Sequence, residues 1–286
     1  MSVRRILVPI RLDGKGENVL DHAMALAGKN SHIEVVHCRP APKDLIPFGV
    51  SVPSILREQI TRSGDDLALA EEKRVVELFE AYAKSRKLKV VAPGQPHPKN
   101  AMSATFRVER GKQANIVSLR GRLADVVAVA KPDRDRAIGR NTLEAALVNT
   151  GSLVMMCPEA APPKELGKHV AIAWNGSREA ARALALAIPL LAAAKKLSIL
   201  TIAGEELELT AAHLMSYLGD HDLNAEHLEV KAGHNVGKAL IDGAGTAGAD
   251  CLLMGAYGSS RGRELVLGGA TQYVVDHASI PILMAH

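Results

Sequence analysis

The sequence predicts an α/β protein made of two doubly wound, five-stranded parallel sheets in tandem. Short β-branched apolar runs alternate with helix-length amphipathic patterns, which is typical of βαβ units. The whole pattern also occurs twice along the 286 residues. Aromatic residues make up only 3% of the chain, so the core must consist mainly of Ala, Val, Leu and Ile. That composition suits helices packed on a buried parallel sheet.

The duplication is visible at both ends of each half. "RRILVPIRLDGKGENVL" near the start of the chain matches "KHVAIAWNGSREAARAL" from residue 168 onward. Later, "ADVVAVA" (124–130) matches "ADCLLMG" (249–255). Between the halves, residues 159–166 are rich in proline and lack strand or helix periodicity, as linkers do. The predicted domains are therefore 1–158 and 167–286.

The second half shows the alternation most cleanly. Ser177 precedes an Ala- and Leu-rich stretch with Glu179 in its first turn, a signal for a helix start. The predicted strands lie near 169–173, 197–202, 225–230, 250–255 and 281–285. The predicted helices lie near 177–194, 207–218, 234–247 and 264–278. In such sheets, ligands bind beyond the carboxyl ends of the strands, where the strand order reverses.

The first half carries additional material. Residues 39–54 form a loop interrupted by prolines, and a long charged helix is predicted at about 55–87. Its mixture of apolar positions and charges predicts a solvated covering helix, with partner binding as the alternative.

Composition argues against several functions. The net charge of +4 is mild and its basic residues are dispersed, which does not favour nucleic-acid binding. No apolar run is long enough for a membrane span or signal peptide, so we expect a cytoplasmic protein without membrane partners. Cys38, Cys157 and Cys251 are scattered, which predicts reduced, buried thiols. The eleven histidines show no ligand spacing, so no metal site is predicted.

A glycine-rich stretch near the end of the chain carries two competing signals. Gly258, Ser260 and Gly262 fit G-x-S-x-G, the nucleophile elbow of serine hydrolases. However, Ser260 comes about five residues after the predicted strand end, and an elbow serine directly follows its strand. Asp276 and His277 are adjacent on a predicted helix, so they face different directions and cannot both support one serine. No catalytic residue is assigned.

The wider glycine set suits a loop that holds phosphates. Gly255 and Gly258 follow the fourth strand, where backbone must approach a ligand closely. Ser259, Ser260 and Arg261 supply hydroxyl and guanidinium donors. Gly268, Gly269, Ala270 and Thr271 open the last helix, whose free N–H groups and dipole favour an anion.

This stretch resembles the G-x-x-G, nine residues, G-(S/T) motif of the universal stress protein family. Gly255-Ala-Tyr-Gly258, nine residues and Gly268 match it, whereas Gly269 replaces the usual Ser or Thr. The duplicated layout resembles a tandem bacterial member of that family. The resemblance implies strand order 3-2-1-4-5 in each domain and association through the last strands, here within one chain. A homodimer is a further option.

The resemblance also implies where a nucleotide would lie. Asn175 stands where ATP-binding members have an Asp that contacts the ribose. Ala173, Trp174, Ile202 and Met254 would lie near the adenine, although core packing is an equal explanation for each. The first half has lost the loop, because "KPDRDRAIGRN" places Pro132, Asp133 and Asp135 there.

The sequence therefore predicts a stress-response or regulatory protein with one adenine-nucleotide site, in its C-terminal domain. ATP is the expected ligand, with ADP or AMP as alternatives and with or without Mg²⁺. Hydrolysis would be slow at most, because the loop offers few groups for a base or Mg²⁺. Two alternatives stay open: a nucleotide-independent structural or partner-binding protein, and an enzyme acting on a small phosphorylated metabolite.

Overall fold

The computed structural model describes residues 3–40, 53–258 and 269–286. The elements of the N-terminal half are β1 (Arg5–Ile10), α1 (Gly16–Leu26), β2 (His32–Arg39), α2 (Ser54–Ser85), β3 (Lys89–Val90), β4 (Ser103–Arg110), α3 (Gln113–Arg120), β5 (Val126–Ala130), α4 (Arg140–Asn149) and β6 (Leu153–Cys157). Those of the C-terminal half are β7 (His169–Ala173), α5 (Arg178–Leu191), β8 (Lys196–Ile202), α6 (Ala211–Gly219), β9 (Glu226–Val230), α7 (Val236–Ala247), β10 (Cys251–Gly255), α8 (Gly269–His277) and β11 (Ile282–Ala285).

The predicted elements of the C-terminal half are present, and their strand bounds agree to within one residue. The prediction for α6 began at 207, whereas the helix begins at Ala211, after Thr210 and His213 form a capping box. Residues 264–268, predicted as the start of the last helix, lie outside the described residues.

The described strands form one continuous sheet rather than two separate ones. Its order is β3-β4-β2-β1-β5-β6-β11-β10-β7-β8-β9. Each half has the expected order 3-2-1-4-5, once the additional two-residue edge strand β3 is set aside. The halves join through β6 and β11, which pair antiparallel with Met155 opposite Leu283. The α/β prediction is confirmed; the count of ten strands is wrong by one, because the insertion between α2 and β4 adds β3.

The core lies on both faces of this sheet. Alternate residues of β1 point to opposite faces, so Ile6 and Val8 join one apolar cluster and Leu7 joins the other. Helices α1, α2, α5 and α6 cover the first face, and α3, α4, α7 and α8 cover the second. Each cluster spans both halves of the chain. The three cysteines are unbonded.

The long helix α2 is buried only along its C-terminal part. Val75, Phe79 and Tyr82 enter the core, whereas Leu67 is 73% exposed. None of the helices that the structure describes combines the length and apolarity that a membrane crossing requires.

Candidate functional site

A cavity of about 440 Å³ lies at the carboxyl edge of the C-terminal strands. The strand order reverses beside β7, because β8 and β9 lie on one side of it and β10 lies on the other. The cavity opens at this point of reversal. The structure brings together in it ten of the fourteen predicted site residues: Ala173, Trp174, Asn175, Ile202, Met254, Gly255, Gly258, Gly269, Ala270 and Thr271. The other four, Ser259, Ser260, Arg261 and Gly268, lie outside the described residues.

The floor of the cavity is apolar. It is formed by the last residues of β7, β8 and β10 and by the first turns of α7. The residues are Ala173, Leu200, Ile202, Val236, Leu240 and Met254. Most of these side chains are buried in the core below, so the floor is pre-formed. A flat aromatic ring could lie on such a surface.

Two helices begin at the rim of the cavity, and a third borders it. Ser177 caps α5 by accepting a hydrogen bond from Ala180 N at 3.2 Å, and Asn235 caps α7 by accepting from Lys238 N at 2.9 Å. Helix α8 borders the cavity with Gly269, its first described residue. Free N–H groups at helix N-termini favour anions, so this rim suits a negatively charged group.

Gly255 has a structural reason to lack a side chain. A Cβ at this position would lie 2.5 Å from the backbone nitrogen of Ala180 and 2.7 Å from the carbonyl carbon of Glu179. The first turn of α5 therefore packs directly on the end of β10. The sequence analysis explained Gly255 only by the close approach of a ligand. It could not find the contact with α5, because that contact joins residues 75 positions apart.

Gly258 and Gly269 are less constrained by the protein. A Cβ at Gly258 would meet the carboxylate end of Glu179, with Oε2 at 2.9 Å, and the Ser177 hydroxyl at 3.6 Å. A Cβ at Gly269 would meet no atom of the described residues within 4 Å. Tyr257, between the first two motif glycines, adopts a φ of +63°, a conformation that non-glycine residues rarely take.

The side chains of Trp174 and Asn175, which were expected to contact a ligand, both make hydrogen bonds within the protein. The Trp174 indole N–H donates to the Leu209 carbonyl at 2.7 Å, and the residue is only 7% exposed. Its ring is thus part of the core as well as of the cavity wall. The Asn175 Oδ1 accepts from Ser177 N at 3.1 Å and closes the turn into α5.

Sequence reasoning did not assign several residues that line the cavity. They are Ser177, Leu200, Glu205, His234, Asn235, Val236 and Leu240. All of them follow or end a strand at the carboxyl edge or begin α5 or α7. The rule that ligands bind at this edge could have identified them, had it been applied to β8 and β9 as well as to β7 and β10.

The equivalent position in the N-terminal half is nearly filled. Only about 30 Å³ remains between the ends of β1 and β5. The Arg11 guanidinium occupies this region, where it donates to the Gln113 side chain and, at 3.0 Å, to the Thr142 hydroxyl. Pro132 and Asp133 follow β5, and Asp133 pairs with Lys15 at 3.8 Å.

The described residues do not assemble a hydrolase triad or a metal site. Asp276 pairs with Arg134 at 3.0 Å, and the His277 ring bonds to the Tyr273 carbonyl on its own helix. Within 3–40, 53–258 and 269–286, no three His, Cys, Asp or Glu side chains cluster as metal ligands would.

Fold and site together define a class: a tandem, doubly wound α/β protein with a cavity at the carboxyl edge of its C-terminal strands. Residues 167–286 match the family model described as the Universal stress protein family. The C-terminal half is therefore a universal stress protein domain, which confirms the resemblance inferred from its glycine motif. No curated protein sequence matches the chain.

Solved structures share the fold over the whole chain. A universal stress protein from Archaeoglobus fulgidus aligns with a TM-score of 0.68 at 14% identity, covering 100% of this chain and 99% of its own. A putative universal stress protein from Pseudomonas aeruginosa aligns with a TM-score of 0.54 at 16% identity, covering 99% and 93%. The cytoplasmic domain of a prokaryotic cation chloride cotransporter aligns with a TM-score of 0.53 at 11% identity, covering 100% and 96%. At these identities the likeness concerns the fold.

Proposed function

We propose that the C-terminal half binds one adenine nucleotide, with ATP as the preferred ligand, and that the protein serves a regulatory role in the stress response. The observation that carries this proposal is the union of an apolar floor with the N-termini of α5 and α7 and the first described residues of α8 in one cavity. The floor would receive the adenine, and the rim would receive the phosphates. Gly258, Gly269, Ala270 and Thr271 would expose backbone N–H groups to them.

The proposed role is binding rather than rapid catalysis. Efficient phosphoryl transfer needs a base or water-positioning group and carboxylates that hold Mg²⁺ near the phosphates. Glu205 is the only carboxylate among the described lining residues, and it follows β8, away from Gly258; one further carboxylate, that of Glu179, lies beside Gly258. Slow hydrolysis at most is compatible with this arrangement.

The N-terminal half would not bind a second nucleotide. Arg11 already occupies the equivalent space, and Pro132 lacks the N–H that a phosphate would need. The expected stoichiometry is therefore one nucleotide per chain.

A binding experiment with one site variant and one control tests the proposal. In Gly258→Glu, a carboxylate would be added beside Glu179 in the path of the phosphates. We expect ATP affinity, measured by isothermal titration calorimetry, to fall about tenfold or more through charge repulsion. In the control Gly219→Glu, the same side chain enters open space at the end of α6, and affinity should be unchanged.

A nucleotide-independent, partner-binding protein is the second candidate. It is favoured by Gly255, whose missing side chain is explained by packing against α5 without any ligand. Wild-type protein that releases no nucleotide on denaturation and shows no heat of ATP binding would establish this candidate over the first.

A further inference from the structure

The cavity has a carboxylate that the nucleotide proposal above leaves without a role. Glu205 lines it three residues after the end of β8. Gly204 takes the left-handed conformation with φ +83°, and Glu205 N donates to the Ile202 carbonyl at 3.2 Å. This tight turn holds Glu205 at the rim, and the residue is exposed rather than folded into the core.

The other side-chain oxygens at this part of the rim already accept backbone hydrogen bonds. The Asn175 oxygen accepts from Ser177 N, the Ser177 hydroxyl from Ala180 N, and the Asn235 oxygen from Lys238 N. Thr271 lies in the first turn of α8, on the glycine-loop side. Among the described residues, the Glu205 carboxylate makes no hydrogen bond or ion pair.

The order of the strands determines which part of a ligand reaches Glu205. Phosphates would lie at the glycine loop after β10, and the sheet continues from β10 through β7 to β8. The nucleoside would therefore extend toward the ends of β7 and β8. A ribose has two hydroxyl groups that need acceptors, and a free carboxylate is a strong one.

We propose that Glu205 is a specificity residue that accepts a hydrogen bond from a ribose hydroxyl of the bound nucleotide. It would distinguish ribonucleotides from deoxynucleotides, and its negative charge would also disfavour ligands that carry a phosphate on the ribose. In this arrangement, Asn175 closes the turn into α5 and offers its amide N–H₂ group as a donor. The acceptor for the ribose hydroxyl is Glu205, which follows the neighbouring strand β8. This inference rests on the proposed nucleotide site.

The test compares ATP with 2′-deoxy-ATP and 3′-deoxy-ATP by calorimetry. Because a hydrogen bond to a charged group contributes about 1.5–3 kcal/mol, the wild type should prefer ATP over one of these analogues by about tenfold or more. In Glu205→Ala, ATP should weaken to the affinity of that analogue, so the preference should fall to within about twofold. Glu205 is exposed, and a circular dichroism melt verifies that the variant is folded.

One control variant isolates the contact. Glu206→Ala removes an equal charge from the adjacent exposed position, which does not line the cavity, and should keep the wild-type preference.

The possible outcomes distinguish a wrong assignment of Glu205 from a failure of the proposed nucleotide site. If ATP binds but its preference over both deoxy analogues survives in Glu205→Ala, the assignment of Glu205 is overturned and the nucleotide site stands. If the preference falls equally in Glu206→Ala, the assignment is also overturned. If no analogue and no ATP binds to the wild type, the proposed function itself fails.

Discussion

In the C-terminal half, the ends of β7 and β10 border a cavity of about 440 Å³, whereas the ends of β1 and β5 in the N-terminal half leave about 30 Å³. The two halves nevertheless share a scaffold. Asp125 accepts the backbone N–H groups that lead into β1, and Asp250 does the same for β7. What differs is the set of side chains at the carboxyl edge. A duplicated fold can thus keep its framework while one copy fills the position of the cavity with its own arginine side chain.

The largest expected effect concerns the contact between β10 and α5. Gly255→Ala should destabilise the protein by about 1–3 kcal/mol, because its Cβ would overlap backbone atoms of Glu179 and Ala180 that cannot move independently. Ala130→Gly, at the end of β5, exchanges the same two residue types in the other half. It should cost about 1 kcal/mol or less. Urea unfolding followed by circular dichroism measures both; equal midpoints for Gly255→Ala and the wild type would contradict the packing explanation.

The next effect concerns Arg11, whose side chain occupies the space between the ends of β1 and β5 in the N-terminal half. Arg11→Ala should lose about 1–2 kcal/mol of stability, because the Gln113 and Thr142 side chains lose their partner. It should not add a second ATP, since the loop with Pro132 offers no phosphate site. Arg110→Ala, which removes an exposed arginine from β4, is the control and should be nearly neutral. Two nucleotides per Arg11→Ala chain would show that the arginine alone closes the site.

A third, smaller effect is an acid sensitivity that belongs to the N-terminal half. His32 begins β2, stacks on His97 and bonds to the Ser103 hydroxyl at 2.9 Å. Burial, followed by the nearby charges of His97, Arg5 and Arg107, lowers the pKa of His32 to about 4. The unfolded chain therefore binds a proton near pH 6.5 that the folded chain refuses, so stability should fall as the pH drops from 6.5 toward 4.

In the C-terminal half, the position that corresponds to His32 is Lys196, at the start of β8. This residue is a lysine that pairs with Glu226 at 2.9 Å, so the position has no histidine to take up a proton. His32→Gln retains a hydrogen-bonding group but cannot titrate. Its free energy of unfolding, measured by urea titration at several pH values, should depend less steeply on pH between 4 and 6.5 than that of the wild type. Parallel curves for the two proteins would remove His32 as the cause.

The smallest effect would sharpen the difference between the halves. Gly269→Ser adds a hydroxyl where the described residues leave open space, at the first described residue of α8. If phosphates lie there, one additional neutral hydrogen bond should tighten ATP binding by roughly twofold to tenfold. Gly219→Ser places the same side chain in open space at the end of α6 and should leave affinity unchanged. Weaker binding in Gly269→Ser would mean that the ligand already fills this space.

Local sequence signals predicted much of the candidate site. Ten of the proposed residues line one cavity because they end or follow strands that the hydrophobic pattern located, or lie in the described first turn of α8. The same reasoning missed Glu205 and His234, since no motif marks them and only the neighbouring strands bring them to the rim. It also could not find that the Asn175 oxygen is already bonded or that the Trp174 indole is held by Leu209.

By itself, the sequence determined the α/β class, the duplication, the order of elements in the C-terminal half and the place of Gly255 and Gly258 at the end of its fourth strand. These follow from periodicity, turn residues and helix caps, which act over a few neighbouring positions. Only the tertiary structure decided that β6 and β11 join two sheets into one and that Gly255 lies against α5. It also decided that the Arg11 side chain occupies the space between the ends of β1 and β5. Those outcomes depend on contacts between residues 75 to 131 positions apart, and no local pattern encodes how such side chains share the same space.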